Sequence, residues 1–326
     1  DQRLRVRVLE VLSTWGISPR LDLDASAYPQ RRYRTQYAET DLAFVSRMLE
    51  DIGVSYFFSA EGGNSTLVLS EAPQRGAPRL PVPFIASPTQ QLRQEYVTKL
   101  VTGRVLRPGR YTQSDVDFRR PLDYPLMASS NSGTSIEASL ERYHHNYGSF
   151  LWKGEGGGTP HADDRGPART NEGQGAQQAA KRLEAQRANA RTAEFLTTAY
   201  DLQPGSILPV VNHPRSELAE PLLVVACQFE GTAGGDWTHR CEARFASQPF
   251  RPALTTARPR TNGVESATVT GPAGEEIHTD EFGRVRLHFH WDREGAADET
   301  SSCWVPVAQP WAGAGMGAIS LPRVGQ

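Results

Sequence analysis

The sequence predicts a mainly β protein, built of β-barrels with a few helices, in two domains of unequal size. Three observations carry that prediction. A length of 326 residues corresponds to about two domains at roughly 150 residues each. The 29 glycines and 23 prolines exceed ordinary usage without reaching collagen-like or low-complexity levels, which implies many turns and hence many short strands. Near the C-terminal end, Val285, Leu287, Phe289 and Trp291 alternate with Arg284, Arg286, His288 and His290, the period of a strand with one apolar and one polar, basic face. A Pro/Arg/Thr-rich stretch divides the chain into a domain over 1–250, a linker over 251–262 and a small all-β domain over 263–326.

Leu4, Val8, Val11, Leu12 and Trp15 recur at helical spacing before Gly16, and a helix is favoured there, although Leu4, Val6 and Val8 also alternate with arginines. Arg31 to Tyr37 reads as a strand. Thr40-Asp41 is an N-cap signal for a helix with Leu42, Val45, Leu49 and Ile52 on one face, and Gly53 is its stop. Val54–Phe58 and Thr66–Leu69 follow as strands around a Glu61–Asn64 turn. Between Pro73 and Pro125, proline punctuation and short runs at Lys99–Leu106 and Asp115–Phe118 suit barrel strands. Gly154–Gly158 reads as a flexible connection, because the Lys-Ser/Thr of a phosphate cradle is missing. Asn171–Arg191 is a helix whose thin stripe of Ala176, Ala180, Leu183 and Ala190 implies close packing on a sheet. Strands are predicted at Phe195–Tyr200, Ile207–Asn212, Leu222–Phe229 and Thr238–Phe245, and then at Val264–Thr270, Cys303–Ala308 and Ala318–Leu321 to complete a small open barrel.

With 35 Lys+Arg against 37 Asp+Glu, adhesion to nucleic acid or an anionic membrane is not the default behaviour. The longest apolar run, Pro221–Cys227, is far short of the roughly 18 residues of a membrane span. No secretory signal is visible at Asp1–Arg5, and the chain is expected to be an internal fragment. Cys227 and Cys241 could face each other across a hairpin. Three cysteines without metal-type spacing nonetheless predict reduced thiols. His278, Asp280, His288, His290 and Asp292 lie close in sequence, and imidazoles at i and i+2 could share a metal. No Cys or third His arrives at ligand spacing, so a solvated or subunit-facing strand is preferred. His144-His145, adjacent on the chain, is weaker still. Glu275-Glu276 and Asp163-Asp164 read as solvated turns rather than the paired acids of a glycosidase. No Gly-x-Ser-x-Gly elbow is present. The expectation is therefore no catalytic residue, no metal and no cofactor. Oligonucleotide binding by the final barrel is disfavoured by the overall charge and by Asp280-Glu281 and Asp298-Glu299.

Two stretches carry a family resemblance. Tyr33-Arg34-Thr35-Gln36-Tyr37-Ala38-Glu39-Thr40-Asp41, continuing through Phe44, Arg47-Met48-Leu49-Glu50 and Gly53-Val54-Ser55-Tyr56-Phe57-Phe58, resembles the hub-like (late control protein D-like) region of VgrG, the spike protein of type VI secretion. His278-Thr279-Asp280-Glu281-Phe282-Gly283-Arg284-Val285, Phe289-His290-Trp291-Asp292-Arg293, Ser301-Ser302-Cys303-Trp304-Val305 and Pro322-Arg323-Val324-Gly325-Gln326 are similar to the OB-fold neck of the same family. The resemblance implies a non-enzymatic homotrimer, assembled in the bacterial cytoplasm on the Hcp tube and injected without a signal peptide. It also implies that a PAAR-type tip and effectors attach through a C-terminal needle that this chain lacks. Arg284, Arg286, His288 and His290 become candidate subunit- or partner-facing residues, and Val285, Leu287, Phe289 and Trp291 the neck core. Pro306 falls where the family usually keeps an arginine in a Trp-Val-Arg-Val strand, so that strand is expected at an edge. The rival readings are a tail-associated cell-wall hydrolase and an OB-type oligonucleotide binder.

Overall fold

The computed structural model describes residues 4–24, 28, 34–61, 63–89, 93–116, 125–150, 170–280, 282–313 and 315–326, with only the backbone described at 4–6 and 61. The chain is mainly β and forms two compact units, the first from the described residues of 1–30, 38–150 and 171–258, the second from those of 31–37, 151–170 and 259–326. The flexible connection expected at Gly154–Gly158 and the solvated turn expected at Asp163-Asp164 lie outside the described residues.

The first unit opens with α1 (Leu4–Thr14), β1 (Arg20–Asp22), α2 (Asp41–Ile52), β2 (Ser55–Glu61) and β3 (Asn64–Ser70). The three strands form a sheet in the order β1-β3-β2, with β1 parallel and β2 antiparallel to β3. Val8 and Leu12 of α1, Phe44, Val45, Met48 and Leu49 of α2, Val54, and Leu67 and Leu69 of β3 share one apolar core. Thr40 caps α2, its hydroxyl accepting from the Ala43 N–H at 3.2 Å, and Gly53 ends it at φ 74°, a left-handed conformation that favours glycine. Leu42, expected on the buried face, is exposed. That face is centred on Met48, and Leu42 lies about 120° away around the helix. No strand forms at Arg34–Tyr37; residues 31–33 of that expected strand lie outside the described residues.

Next come β4 (Val82–Pro83), β5 (Val97–Arg104), β6 (Arg110–Asp115), β7 (Leu126–Asn131), α3 (Ser135–Ala138), β8 (Glu141–His145) and α4 (Glu172–Arg187). They are followed by β9 (Arg191–Thr197), β10 (Ile207–Leu208), β11 (Val210–Val211), β12 (Leu222–Gly231) and β13 (Trp237–Phe245). A five-stranded antiparallel sheet runs β10-β12-β13-β9-β5. It buries Val97, Phe195, Leu208, Leu222, Val224, Cys241 and Phe245. A second sheet runs β7-β6-β8, and β4 pairs with β11. Of the strand expected at Asp115–Phe118, Asp115 is instead the last residue of β6 and Val116 is outside it; residues 117–118 lie outside the described residues. The Asp115 carboxylate accepts the N–H groups of Val116, Gly148 and Phe150 at 2.8–3.0 Å, which ends the pairing and turns the chain.

Helix α4 packs on β6 and β7. Its buried residues are Gly175, Gln178, Ala179, Arg182 and Leu183. Of the expected stripe, Leu183 and, just beyond the helix, Ala190 are buried, Ala180 is half-buried and Ala176 is exposed, because two polar side chains on the inner face find buried partners. Gln178 donates toward the Asp51 carboxylate at 3.5 Å, and Arg182 pairs with it at 2.6 Å. Position 175 admits no side chain, since a Cβ would lie 2.2 Å from the fully buried Phe150 ring.

The single turn of α3 begins in a capping box of Thr134 and Glu137, and Arg187 at the end of α4 donates to the same carboxylate at 2.9 Å. The Thr134 backbone N–H, then Arg187, hold the Glu137 carboxyl down at about 2. A depressed pKa contributes stability above the unfolded value near 4.5, lost as pH falls toward 2. The stability of the chain against chemical unfolding is accordingly expected to fall between about pH 4.5 and 2, and Glu137→Gln to flatten that part of the profile. An unchanged slope in the variant would remove Glu137 from the acid response.

The second unit contains β14 (Ala267–Thr270), β15 (Arg286–Phe289), β16 (Trp311–Gly313) and β17 (Met316–Ala318). β14 and β15 pair antiparallel with Val269 opposite Leu287, and β16 and β17 form a hairpin. The strand expected at Cys303–Ala308 is reduced to one bridge between Val285 and Val305, where Pro306 has no N–H to continue a ladder. Val269 and Val285 are buried, Leu287 and Phe289 are half-buried and Trp291 is 41% exposed. Burial does not alternate along this stretch: every position of β15 is half-buried, and burial fades from Val285 to Trp291.

Candidate functional site

The polar residues of the Glu39–Gly53 stretch are consumed in building the first unit. Arg47 forks onto the buried Glu39 carboxylate at 2.5 and 2.7 Å. Both oxygens of Glu50 accept from the backbone and hydroxyls of Thr255 and Thr256 at 2.8–3.0 Å. The Asp51 carboxylate accepts from Arg182 at 2.6 Å and from Arg258 at 3.2 Å. Arg251 reaches the carbonyls of Gly53 and Glu71 and the carboxylate of Glu184. Residues 251–258, read from sequence as linker, therefore strap α2. A cavity of about 370 Å³ lies beside Glu50 among Leu49, Val54, Phe57, Leu223 and Thr255, and the carboxylate on its wall is already saturated.

In the second unit, Asp280 accepts the Arg284 backbone N–H at 2.9 Å and its guanidinium at 2.5 and 2.6 Å. Arg286 donates to the Ser302 carbonyl at 2.9 Å and lies 4.7 Å over the Trp304 ring. These two candidate interface arginines are thus engaged within their own unit. His288 is half-buried, and His290 is exposed beside Trp291. Trp291 donates to Glu265 at 2.6 Å, and Tyr37 meets both, its hydroxyl donating to Glu265 and its ring standing edge-on to Trp291 at 5.0 Å. The hairpin β16–β17 has every described residue exposed. Trp311 and Met316, at 64% and 60% exposure, share one face by strand register. A two-stranded hairpin with no covering layer is marginal in water.

Sequence proximity does not bring the second unit's histidines and acids together as ligands. Among the described residues the one group with three converging ligand atoms is Cys227, His239 and Cys241, in the first unit. Cys227 sits opposite Cys241 across β12–β13, with their sulfurs 3.4 Å apart. His239 lies two residues before Cys241, on the same strand face. The sequence allowed Cys227 and Cys241 to face each other across a hairpin, as the strand register places them, but gave no sign of His239, the third member, which only that register adds. The hydrogen bond between the thiols lowers the pKa of Cys227 and raises that of Cys241, while burial lowers that of His239.

The phage tail baseplate hub (GPD) family matches residues 8–235, and the type VI secretion system/phage-baseplate injector OB domain matches 270–326. Type VI secretion system spike protein VgrG1b of Pseudomonas aeruginosa is 31% identical over 341 residues, covering 100% of this chain and 43% of its own length. Spike protein VgrG5 of the same organism is 33% identical over 352 residues, covering 99% of this chain and 42% of its own. The chain thus spans less than half the length of these curated relatives. Among solved structures, the E. coli c3393 protein superposes with a TM-score of 0.59 at 17% identity over 91% of this chain and 64% of that one. It is a type VI secretion component with structural similarity to T4 bacteriophage tail proteins gp27 and gp5, and the likeness extends to the fold. Among the described residues no helix is long and apolar enough to cross a membrane.

Proposed function

Because the chain belongs to the phage tail baseplate hub family and is homologous to type VI secretion spike proteins, we propose that it is the hub and neck of such a spike. In this reading it acts mechanically, as a homotrimer seated on the Hcp tube, and carries out no reaction step. It assembles in the bacterial cytoplasm and leaves through the secretion apparatus. A PAAR-type tip and effectors are served by the part of the relatives' length that this chain does not span. The observation that carries the trimer is the bare β16–β17 hairpin, with Trp311, Met316 and the 81% exposed Ile319 in solvent; neighbouring subunits would cover them. Of the four candidate interface residues, His288 and His290 are assigned to face a neighbour, while Arg284 and Arg286 hold the strand that presents them. Glu39, Glu50 and Asp51 are engaged in holding the first unit together, the mechanical role this reading gives the stretch.

Light scattering across a dilution series tests the proposal. The expected mass is three times 35.9 kDa, falling toward one chain in Trp311→Asp, together with retention of Hcp rings in co-sedimentation. A one-chain mass at every concentration with no retained Hcp would overturn it.

A further inference from the structure

The geometry points to a binding site for a thiophilic metal ion, Zn²⁺ in the first instance, formed by Cys227, Cys241 and His239 on the face of the β12–β13 hairpin. The ligand atoms Cys227 Sγ, Cys241 Sγ and one ring nitrogen of His239 lie within 4.8 Å of one another. The two sulfurs are 3.4 Å apart, and His239 Nε2 is 3.3 Å from Cys241 Sγ. Tetrahedral zinc, with bonds of about 2.3 Å to sulfur and 2.0 Å to nitrogen, spaces its ligands by about 3.8 Å (S to S) and 3.5 Å (S to N). Seating the ion therefore opens these two separations by a few tenths of an ångström. A cross-strand disulfide would instead need the sulfurs to close to about 2.05 Å.

The surroundings are those of a prepared ligand. His239 Nδ1 lies 3.1 Å from the Ala199 carbonyl, which accepts the ring proton and leaves the Nε2 lone pair facing the sulfur. A backbone carbonyl of this kind is a common outer-shell partner of a metal-bound histidine. The ring is fixed by stacking on Phe229 at 3.9 Å, and His239 and Cys241 are buried while Cys227 is half-buried, which leaves an approach from its side. Two thiolates and one neutral imidazole suit Zn²⁺ or another soft ion, with the fourth position left to water or an added ligand. Binding releases two protons, one from each thiol, and the bound ion cross-links the hairpin to itself beside the segment after β9.

The test uses the untagged chain, purified under reducing conditions, loaded with Zn²⁺ and desalted. About one zinc per chain is expected, and Co²⁺ in its place should give thiolate-to-metal absorption in the near ultraviolet, with X-ray absorption showing two sulfurs and one imidazole. Cys227→Ser and His239→Gln should each weaken Zn²⁺ binding at least about 100-fold, beyond the usual effect of an outer-shell change, while Cys303→Ser leaves it unchanged. The absorption measurements on the unaltered chain decide the matter should a variant fail to fold. Three titratable thiols with no retained zinc, a Cys227–Cys241 disulfide in the reduced preparation, or zinc retained equally by Cys227→Ser would each overturn the site.

Discussion

Arg182→Leu is expected to lower the unfolding free energy of the chain by about 3–5 kcal/mol, the penalty for leaving a buried charge without its partner. Arg182 and Asp51 are both 6% exposed and 2.6 Å apart. The same guanidinium also donates to the carbonyls of Glu50 and Asp51 at 3.2 Å, near the end of α2. Removing it leaves those carbonyls short of a donor and Asp51 with Arg258, whose side chain is half exposed. A domain's whole stability is about 5–15 kcal/mol, so the variant should melt many degrees lower in a thermal scan. The double variant Asp51→Leu/Arg182→Leu separates charge from packing. It should cost less than the two single losses added together, because no unpaired charge remains. Additive losses would show that Arg182 acts through its aliphatic packing rather than through Asp51.

Those two residues also show where sequence reading stopped. The start and stop of α2 were legible because a cap needs only local chemistry: a threonine hydroxyl for the first turn, and a glycine for the left-handed residue that ends it. The β2–β3 hairpin and the existence of α4 were legible for the same reason. What burial selects is not local. Arg182 and Gln178 look like solvent residues until Asp51, more than 120 positions earlier in the chain, is brought against them, so the apolar pattern nominated Ala176 in place of Gln178. The carboxylates of Glu50 and Asp51 likewise gave no sign that Thr255, Thr256 and Arg258 would take them. His239 was silent for a related reason. Its signal, a histidine two residues before a cysteine that faces a second cysteine, exists only once the register of β12 and β13 is known.

Val285→Asp carries the other large effect, on the second unit. Val285 is 3% exposed and exchanges two backbone hydrogen bonds with Val305, at 3.0 and 2.8 Å. A carboxylate there would be desolvated between strands with no cation assigned to it, because the neighbouring Arg284 is already held by Asp280 and Arg286 by Ser302 and Trp304. Burying an unpaired charge costs several kcal/mol even after relaxation, and a unit this small has little stability to lose. Hydrogen exchange should therefore show loss of amide protection at Val269, Leu287 and Val305, with α2 and β3 still protected. Val285→Thr keeps the shape and adds one hydroxyl, so about 1–3 kcal/mol is expected. Leu287→Asp, at a half-buried position, should fall below Val285→Asp in effect, because part of the new charge keeps its water. If Leu287→Asp proved the more damaging, the core of this unit would be centred further along the strand, nearer Leu287 than Val285, on the face the two residues share.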